Sequence, residues 1–221
     1  MTFTAVVLDM DGLLIDSEPL YKDAWQRTAR DLGFELSDRF YQALVGRTNP
    51  ESEAAIGREL GPAFPLATFR ARWPAMWRQR ATDEGLPTKP GVTELLDFLR
   101  ERRLPVAVAT SSDLEFTRFS LAAAGLTARL TLLITGDQVT HGKPAPDIYR
   151  EAAHRLGVAG SACVALEDSE AGVLSATAAG MRVLLVPDIQ TPSATAARAA
   201  AAVLPSLDEA VPLLAGWLDG R

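Results

Sequence analysis

Cysteine is nearly absent from this chain. Cys163 is the only one among 221 residues, so no disulfide can form within the chain, and a reducing, cytoplasmic setting is the expectation. It sits in Ala162-Cys163-Val164-Ala165-Leu166, where a thiol reads as a small core residue rather than a nucleophile. Long apolar runs are also missing. No stretch approaches the roughly 20 apolar residues that cross a bilayer. The N-terminus has no basic region, and its apolar run is too short for a secretory signal. Positive charge is in deficit, with a net charge of −6, so no basic face is on offer to a nucleic acid. Lysine is scarce, at positions 22, 89 and 143 only, which makes each one worth explaining. What remains, 48% apolar and 23% charged residues, is the balance of a soluble globular protein. The length suits one domain, or a core with one insertion, acting as a monomer or small homo-oligomer.

The stretch that organises the chain comes early. Ala5-Val6-Val7-Leu8 runs straight into Asp9-Met10-Asp11-Gly12. An apolar run bounded by a turn signal reads as a buried strand, here about 3–9. Side chains at i and i+2 of an extended chain point the same way, so Asp9 and Asp11 face one spot as the strand ends. Paired acids at the edge of a core repel and lose water, and they need a cation or a shared proton. Solvated loop acids are the simpler reading of that pair taken alone.

From Ser17, a candidate N-cap followed by Pro19, to about residue 82 there is no strand signal. Helices are expected near 18–32, 37–45, 50–60 and 66–81. In the last, Leu66, Phe69, Trp73, Met76 and Trp77 form an apolar stripe and the arginines a solvated face, and Pro74 should kink or divide it. The turn-rich Asp83-Glu84-Gly85-Leu86-Pro87-Thr88-Lys89-Pro90-Gly91 marks a boundary. Beyond it helix and strand alternate: a helix at 91–103, a strand at 105–110, a helix opening at a Ser112/Glu115 capping box, and a strand at 130–135. A helix at 146–156, a strand at 162–166, a helix at 169–179 and a strand at 182–186 follow. Such alternation implies an α/β, doubly wound parallel sheet. A short strand at 203–204 and a helix capped at Ser206 complete the tail. The expected domains are an α/β core of residues 1–16 and 85–221 and a helical insertion of 17–84, in the position of a lid over the carboxyl end of the first strand.

Four polar groups follow strand ends in this map: Asp9-x-Asp11, Thr110-Ser111-Ser112, Gly142-Lys143-Pro144-Ala145-Pro146-Asp147, and Glu167-Asp168-Ser169. Each has a plainer reading, as a helix cap or a surface residue. Together they require four coincidences on one sheet edge. Their chemistry points to phosphoryl transfer. A carboxylate can attack phosphorus, although two unit charges 4 Å apart repel by about 4 kcal/mol at an effective dielectric near 20. Mg²⁺ removes that obstacle, and it typically binds one or two carboxylates plus a substrate phosphate. Asp9 and Asp168 can supply those ligands. Lys143 adds a point charge, Thr110 or Ser111 adds donors for phosphate oxygens, and Asp11 is left to move protons.

This ordered set, with Lys143 in its Gly-Lys-Pro-x-Pro-Asp setting, resembles the four motifs of the haloacid dehalogenase superfamily over essentially the whole chain. The subgroup most similar contains β-phosphoglucomutase and sugar-phosphate phosphatases. The resemblance implies Asp9 as nucleophile and Mg²⁺ ligand, and Asp11 as general acid/base and ligand through its carbonyl. It implies Thr110, with Ser111, on the phosphate, Lys143 neutralising charge, and Asp168 with Glu167 completing the metal site. Gly46-Arg47-Thr48 falls where the subgroup has a specificity loop; a helix-ending glycine and a solvated arginine are the alternative there.

Departures narrow the activity. Dehalogenases in the family lack an acid equivalent to Asp11. Phosphonate-cleaving members need a cap lysine, and only Lys22 lies in the insertion. β-Phosphoglucomutase has a histidine where Tyr21 stands, and a cap lysine where residues 66–82 offer only arginines. The expectation is therefore a Mg²⁺-dependent phosphatase acting on a small phosphorylated metabolite through an aspartyl-phosphate. A hexose-phosphate mutase is the alternative, and a phospho-accepting receiver module a more distant one.

Overall fold

The computed structural model of the protein describes residues 3–44, 49–189 and 191–220. The expected loop residues Gly46, Arg47 and Thr48 lie outside the described residues.

Six strands form one sheet: β1 (Ala5–Leu8), β2 (Val106–Ala109), β3 (Leu133–Ile134), β4 (Cys163–Glu167), β5 (Arg182–Leu185) and β6 (Ala202–Val203). Their order is β3-β2-β1-β4-β5-β6, and every pairing is parallel. Ten helices accompany them among the described residues: α1 (Glu18–Asp31), α2 (Asp38–Gln42), α3 (Asn49–Leu60), α4 (Leu66–Glu84), α5 (Val92–Glu101), α6 (Leu114–Ala123), α7 (Asp147–Leu156), α8 (Glu170–Ala178), α9 (Ala194–Ala199) and α10 (Ala210–Leu218). The architecture is the doubly wound α/β fold that the strand–helix alternation implies.

The strands read as unbroken apolar runs because both sheet faces are covered. Ala5, Val7, Ala107, Ala109, Ala165, Val183 and Leu185 share one core cluster with Ile148, Tyr149 and Ala152 of α7 and Val173 and Ala176 of α8. The alternate residues Val6, Leu8, Val108, Val164, Leu166 and Leu184 point the opposite way and are equally buried. The two halves of the winding meet at β1 and β4, where the chain passes from one side of β1 to the other. Ligands of open α/β sheets bind outside the carboxyl ends of the strands at such a switch point.

By its contacts the chain divides into two compact units, Met1–Asp16 with Pro87–Arg221, and Ser17–Leu86. The sheet belongs entirely to the first. In the second, α1 runs against α4 over an aromatic core. Trp25 meets Trp73 edge-on at 5.6 Å and Phe69 at 6.3 Å, while Tyr21 lies 5.4 Å from the Trp77 ring. Glu53 accepts hydrogen bonds from Trp73 Nε1 and Arg70. Arg80 departs from the expected solvated face: it is bonded to Asp23 and Glu84.

Local expectations fail at five places. Ser17 has helical angles (φ −82°, ψ −19°) and makes no capping bond, because the helix is already under way there. Helix α4 runs undivided through Pro74, since buried Phe69, Trp73 and Trp77 on either side of the proline fix both halves as one element. Helix α6 is capped by Asp113, whose carboxylate accepts from Phe116 N, which leaves the Ser112 hydroxyl for another partner. A short 3₁₀ turn, Leu207–Glu209, comes between Ser206 and α10, and Ser206 binds Asp208 instead of capping. The expected strand at 130–135 contracts to Leu133–Ile134, an edge strand paired only with β2.

Cys163 is 1% exposed at the start of β4, and burial pushes its thiol pKa up. A buried thiol with a raised pKa is a poor nucleophile. The native protein should therefore react negligibly with an aromatic disulfide reagent at pH 8 and release one equivalent of chromophore after unfolding in guanidinium. Fast native reaction would place Cys163 at the surface.

Candidate active site

Strand register brings the predicted residues to one edge. Leu8 pairs with both Val108 and Leu166, so the chain leaves β1, β2 and β4 at the same level. Asp9 extends the β1–β4 ladder by donating its N–H to Leu166 O at 3.0 Å. The chain then folds back. Leu14 and Ile15 donate to Met10 O, and Gly12, at φ +83°, donates to Ile15 O. That positive φ suits glycine.

Lys143 is the centre of the arrangement. Its side chain is 5% exposed. The ammonium donates to Asp9 Oδ1 and to Glu167 Oε1 and stands 5.2 Å from the centre of the Tyr149 ring. Glu167 is fully buried and fully engaged. Its Oε1 also accepts from Tyr149 Oη at 2.8 Å, and its Oε2 accepts from Asp168 N, Ser169 N and Ser169 Oγ. Glu167, which the family resemblance assigns to a metal site, bonds Lys143, Tyr149 and its own turn, and five donors use its lone pairs.

The electrostatics follow from one buried ammonium serving several acids. Burial alone would lower the Lys143 pKa, but Asp9 and Glu167 hold it well above the ordinary lysine range. Burial acts to raise Glu167, and Lys143 and the turn's donors overcome it, leaving a carboxylate below its usual pKa. Asp9 has fewer such donors: burial carries its pKa up to about 8, with Lys143 pulling down and Glu167 and Asp11 pushing up. Asp168 rises well above its ordinary value through burial and the charges of Asp9 and Glu167.

Asp11 Oδ2 accepts from Ser112 Oγ at 3.1 Å, and Ser112 N donates to Thr110 Oγ1 at 3.1 Å. The turn after β2 is thus tied to the turn after β1. Thr110 is buried and Ser111 is exposed on that turn. Asp168 lies against Gly12, where a methyl group would sit 2.2 Å from its Oδ2. Among the described residues, no three acidic, histidine or cysteine side chains converge as a metal cage. Asp9, buried, and Asp168, half-buried, offer carboxylate oxygens close enough that the charge of Asp9 acts on Asp168, an oxygen donor set. That set fits Mg²⁺, which prefers few carboxylates and keeps several waters.

Sequence reading missed Tyr149 and Gly172, which act on Glu167 and whose proximity only the fold reveals; Ser169 both caps α8 and donates to Glu167. Gly172 in α8 is a space requirement, because a Cβ there would fall 1.7 Å from Glu167 Oε1.

A family model for haloacid dehalogenase-like hydrolases matches residues 3–180. The chain belongs to the haloacid dehalogenase-like hydrolases. Among its relatives is the phosphorylated carbohydrates phosphatase of Thermotoga maritima, 34% identical over 177 residues, covering 80% of this chain and 82% of that one. Hexitol phosphatase B of Escherichia coli is 32% identical over 194 residues, covering 83% of each. A solved Thermotoga maritima structure, provisionally assigned as a β-phosphoglucomutase, superposes with a TM-score of 0.85. It is 30% identical and covers 97% of this chain and 99% of that one. Membership in this hydrolase family agrees with the resemblance carried by the four strand-end motifs. Among the described residues, no helix is long and apolar enough to cross a membrane.

Gly172→Ala is the sharpest structural test of the Lys143 brace. The added methyl must displace the Glu167 carboxylate, at a cost of about 1–3 kcal/mol in stability. Urea unfolding should show that loss, and hydrolytic activity should fall more steeply than stability alone explains. An unchanged unfolding midpoint would mean that α8 and Glu167 are not packed as described.

Proposed function

We propose that the protein is a Mg²⁺-dependent phosphatase that hydrolyses a phosphorylated sugar or sugar alcohol, with Asp9 as nucleophile. The observation that carries this reading is the Asp9 carboxylate at the switch point of the sheet, bonded to a buried ammonium that Glu167 braces, with Asp11 beside it. The activities for which these relatives are named support the reaction class and the carbohydrate-like substrate.

The reaction proceeds in two displacements. Asp9 attacks phosphorus, and the bond from phosphorus to the ester oxygen breaks. Asp11 delivers a proton to that leaving oxygen, releasing the alcohol. Asp11, now a carboxylate, takes a proton from water, whose oxygen attacks the phosphoryl group on Asp9. Inorganic phosphate leaves and Asp9 is restored. Lys143 offsets the negative charge that accumulates when an anionic substrate meets a carboxylate. Thr110 and Ser111 supply donors to the phosphate oxygens, and the Ser112 hydroxyl orients Asp11. Asp9, Asp168 and the Asp11 carbonyl are the groups that would hold Mg²⁺, which supplies charge neutralisation for the transferring phosphoryl group. Glu167 serves by holding Lys143 rather than the metal. Residues 17–84 are proposed as a cap domain, with Gly46, Arg47 and Thr48 as its substrate loop.

Mutase activity is disfavoured by the second unit's composition. Tyr21 is packed among Trp25, Trp73 and Trp77, and helix α4 carries arginines but no lysine. Asp9→Asn should lower phosphate release from sugar and hexitol phosphates by at least about a thousandfold. Chelation with EDTA should abolish the wild-type reaction, and excess Mg²⁺ should restore it. Near-normal turnover by the asparagine variant would sink the mechanism. With β-glucose 1-phosphate and a trace of its 1,6-bisphosphate, the expected products are glucose and phosphate. Accumulation of glucose 6-phosphate would establish the mutase instead.

A further inference from the structure

The mechanism leaves one ion pair at the site edge unexplained. Asp188 follows β5, and its side chain is 16% exposed. One of its oxygens, Oδ1, accepts from Lys89 Nζ at 2.5 Å. The other, Oδ2, faces Gly12. A methyl group at Gly12 would be 3.3 Å from Asp188 Oδ2 and 2.2 Å from Asp168 Oδ2, so both carboxylates border the same small space. Lys89 is fixed at its own end: its N–H donates to Leu14 O at 3.0 Å, and its ammonium is 3.7 Å from Asp16 Oδ1. The pair therefore ties the loop after β5 to the segment where the chain re-enters the sheet unit, and it aims a carboxylate oxygen past Gly12 toward Asp168.

We propose that Asp188 is a positioning residue for the cation site, and that Lys89 holds it in place and moderates its charge. The inference rests on the cation reading given under the proposed function. Asp188 is not a ligand. Its free oxygen accepts a hydrogen bond from water on a cation held by Asp9 and Asp168, as carboxylates next to metal sites commonly do. The two partners then act on cation affinity with opposite signs. Removing Asp188 removes a negative charge and a water acceptor. Removing Lys89 removes the positive charge that partly cancels Asp188.

The test is Mg²⁺ binding without substrate, read as the rise in thermal melting midpoint with Mg²⁺ concentration and fitted to an apparent Kd. Asp188→Asn should weaken binding by about tenfold. Asp188→Glu, which keeps the charge, should stay within about threefold of wild type. Lys89→Met should tighten binding on the order of threefold. Melting midpoints without Mg²⁺ separate these shifts from loss of folded protein. A purely structural strut would weaken binding in both Asp188→Asn and Lys89→Met, and that result overturns the inference. So does a wild-type Mg²⁺ response that Asp188→Asn leaves unchanged. A wild-type protein with no Mg²⁺ response overturns the cation reading itself, and this inference with it.

Discussion

A single buried ammonium governs this molecule's chemistry. Lys143 is withdrawn from water, where an isolated charge is costly, and two carboxylates compete for it. Glu167 keeps its negative charge more firmly, because a tyrosine hydroxyl, two backbone amides and a serine hydroxyl also donate to it. Asp9 is left with a share of the lysine and a raised proton affinity. On the proposed reading Asp9 attacks phosphorus and must lose its proton, which further positive charge beside Asp9 and Asp168 would favour.

The rest of the sheet unit serves that ammonium. Parallel pairing of β1 with β2 and β4 sets the turns at one level. Helix α7 delivers Tyr149, and α8 contributes a glycine where any side chain would collide with Glu167. Asp113 takes over the cap of α6, so that Ser112 reaches Asp11. Capping residues and reacting residues are adjacent in sequence yet do separate work. That division is invisible until the backbone geometry is known.

Much of this was legible in the sequence. Near-continuous apolar runs ending in Asp9, Thr110 and Glu167 announced buried parallel strands with polar ends, and Gly85 to Gly91 marked a break. What escaped was of two kinds. Some local signals were outvoted by packing: Pro74 sits inside a helix whose aromatic residues hold both halves together, and Ser17 lies too far into its turn to cap. Other features depend on contacts between distant positions. Tyr149, Gly172 and Asp188 matter only through what the fold brings against them, and no spacing within the chain encodes that. Glu167 was read as a companion of Asp168, yet neighbours along a strand end point to opposite sides, and the two acids face different partners.

The sheet unit gives up its chain at Asp16 and takes it back at Pro87, and the two residues are hydrogen-bonded, Asp16 N to Pro87 O at 2.9 Å. Ile15 and Thr88 extend this contact as an antiparallel bridge. The intervening 70 residues thus form a closed loop on a narrow stem. Closing such a loop from a random chain costs about 4 kcal/mol in entropy, much of which is removed if the helical unit folds first and brings its own ends together. A stem of this kind also lets insertions differ in length and sequence without disturbing the register of β1. One catalytic sheet can then be paired, over evolutionary time, with many different substrate-selecting modules.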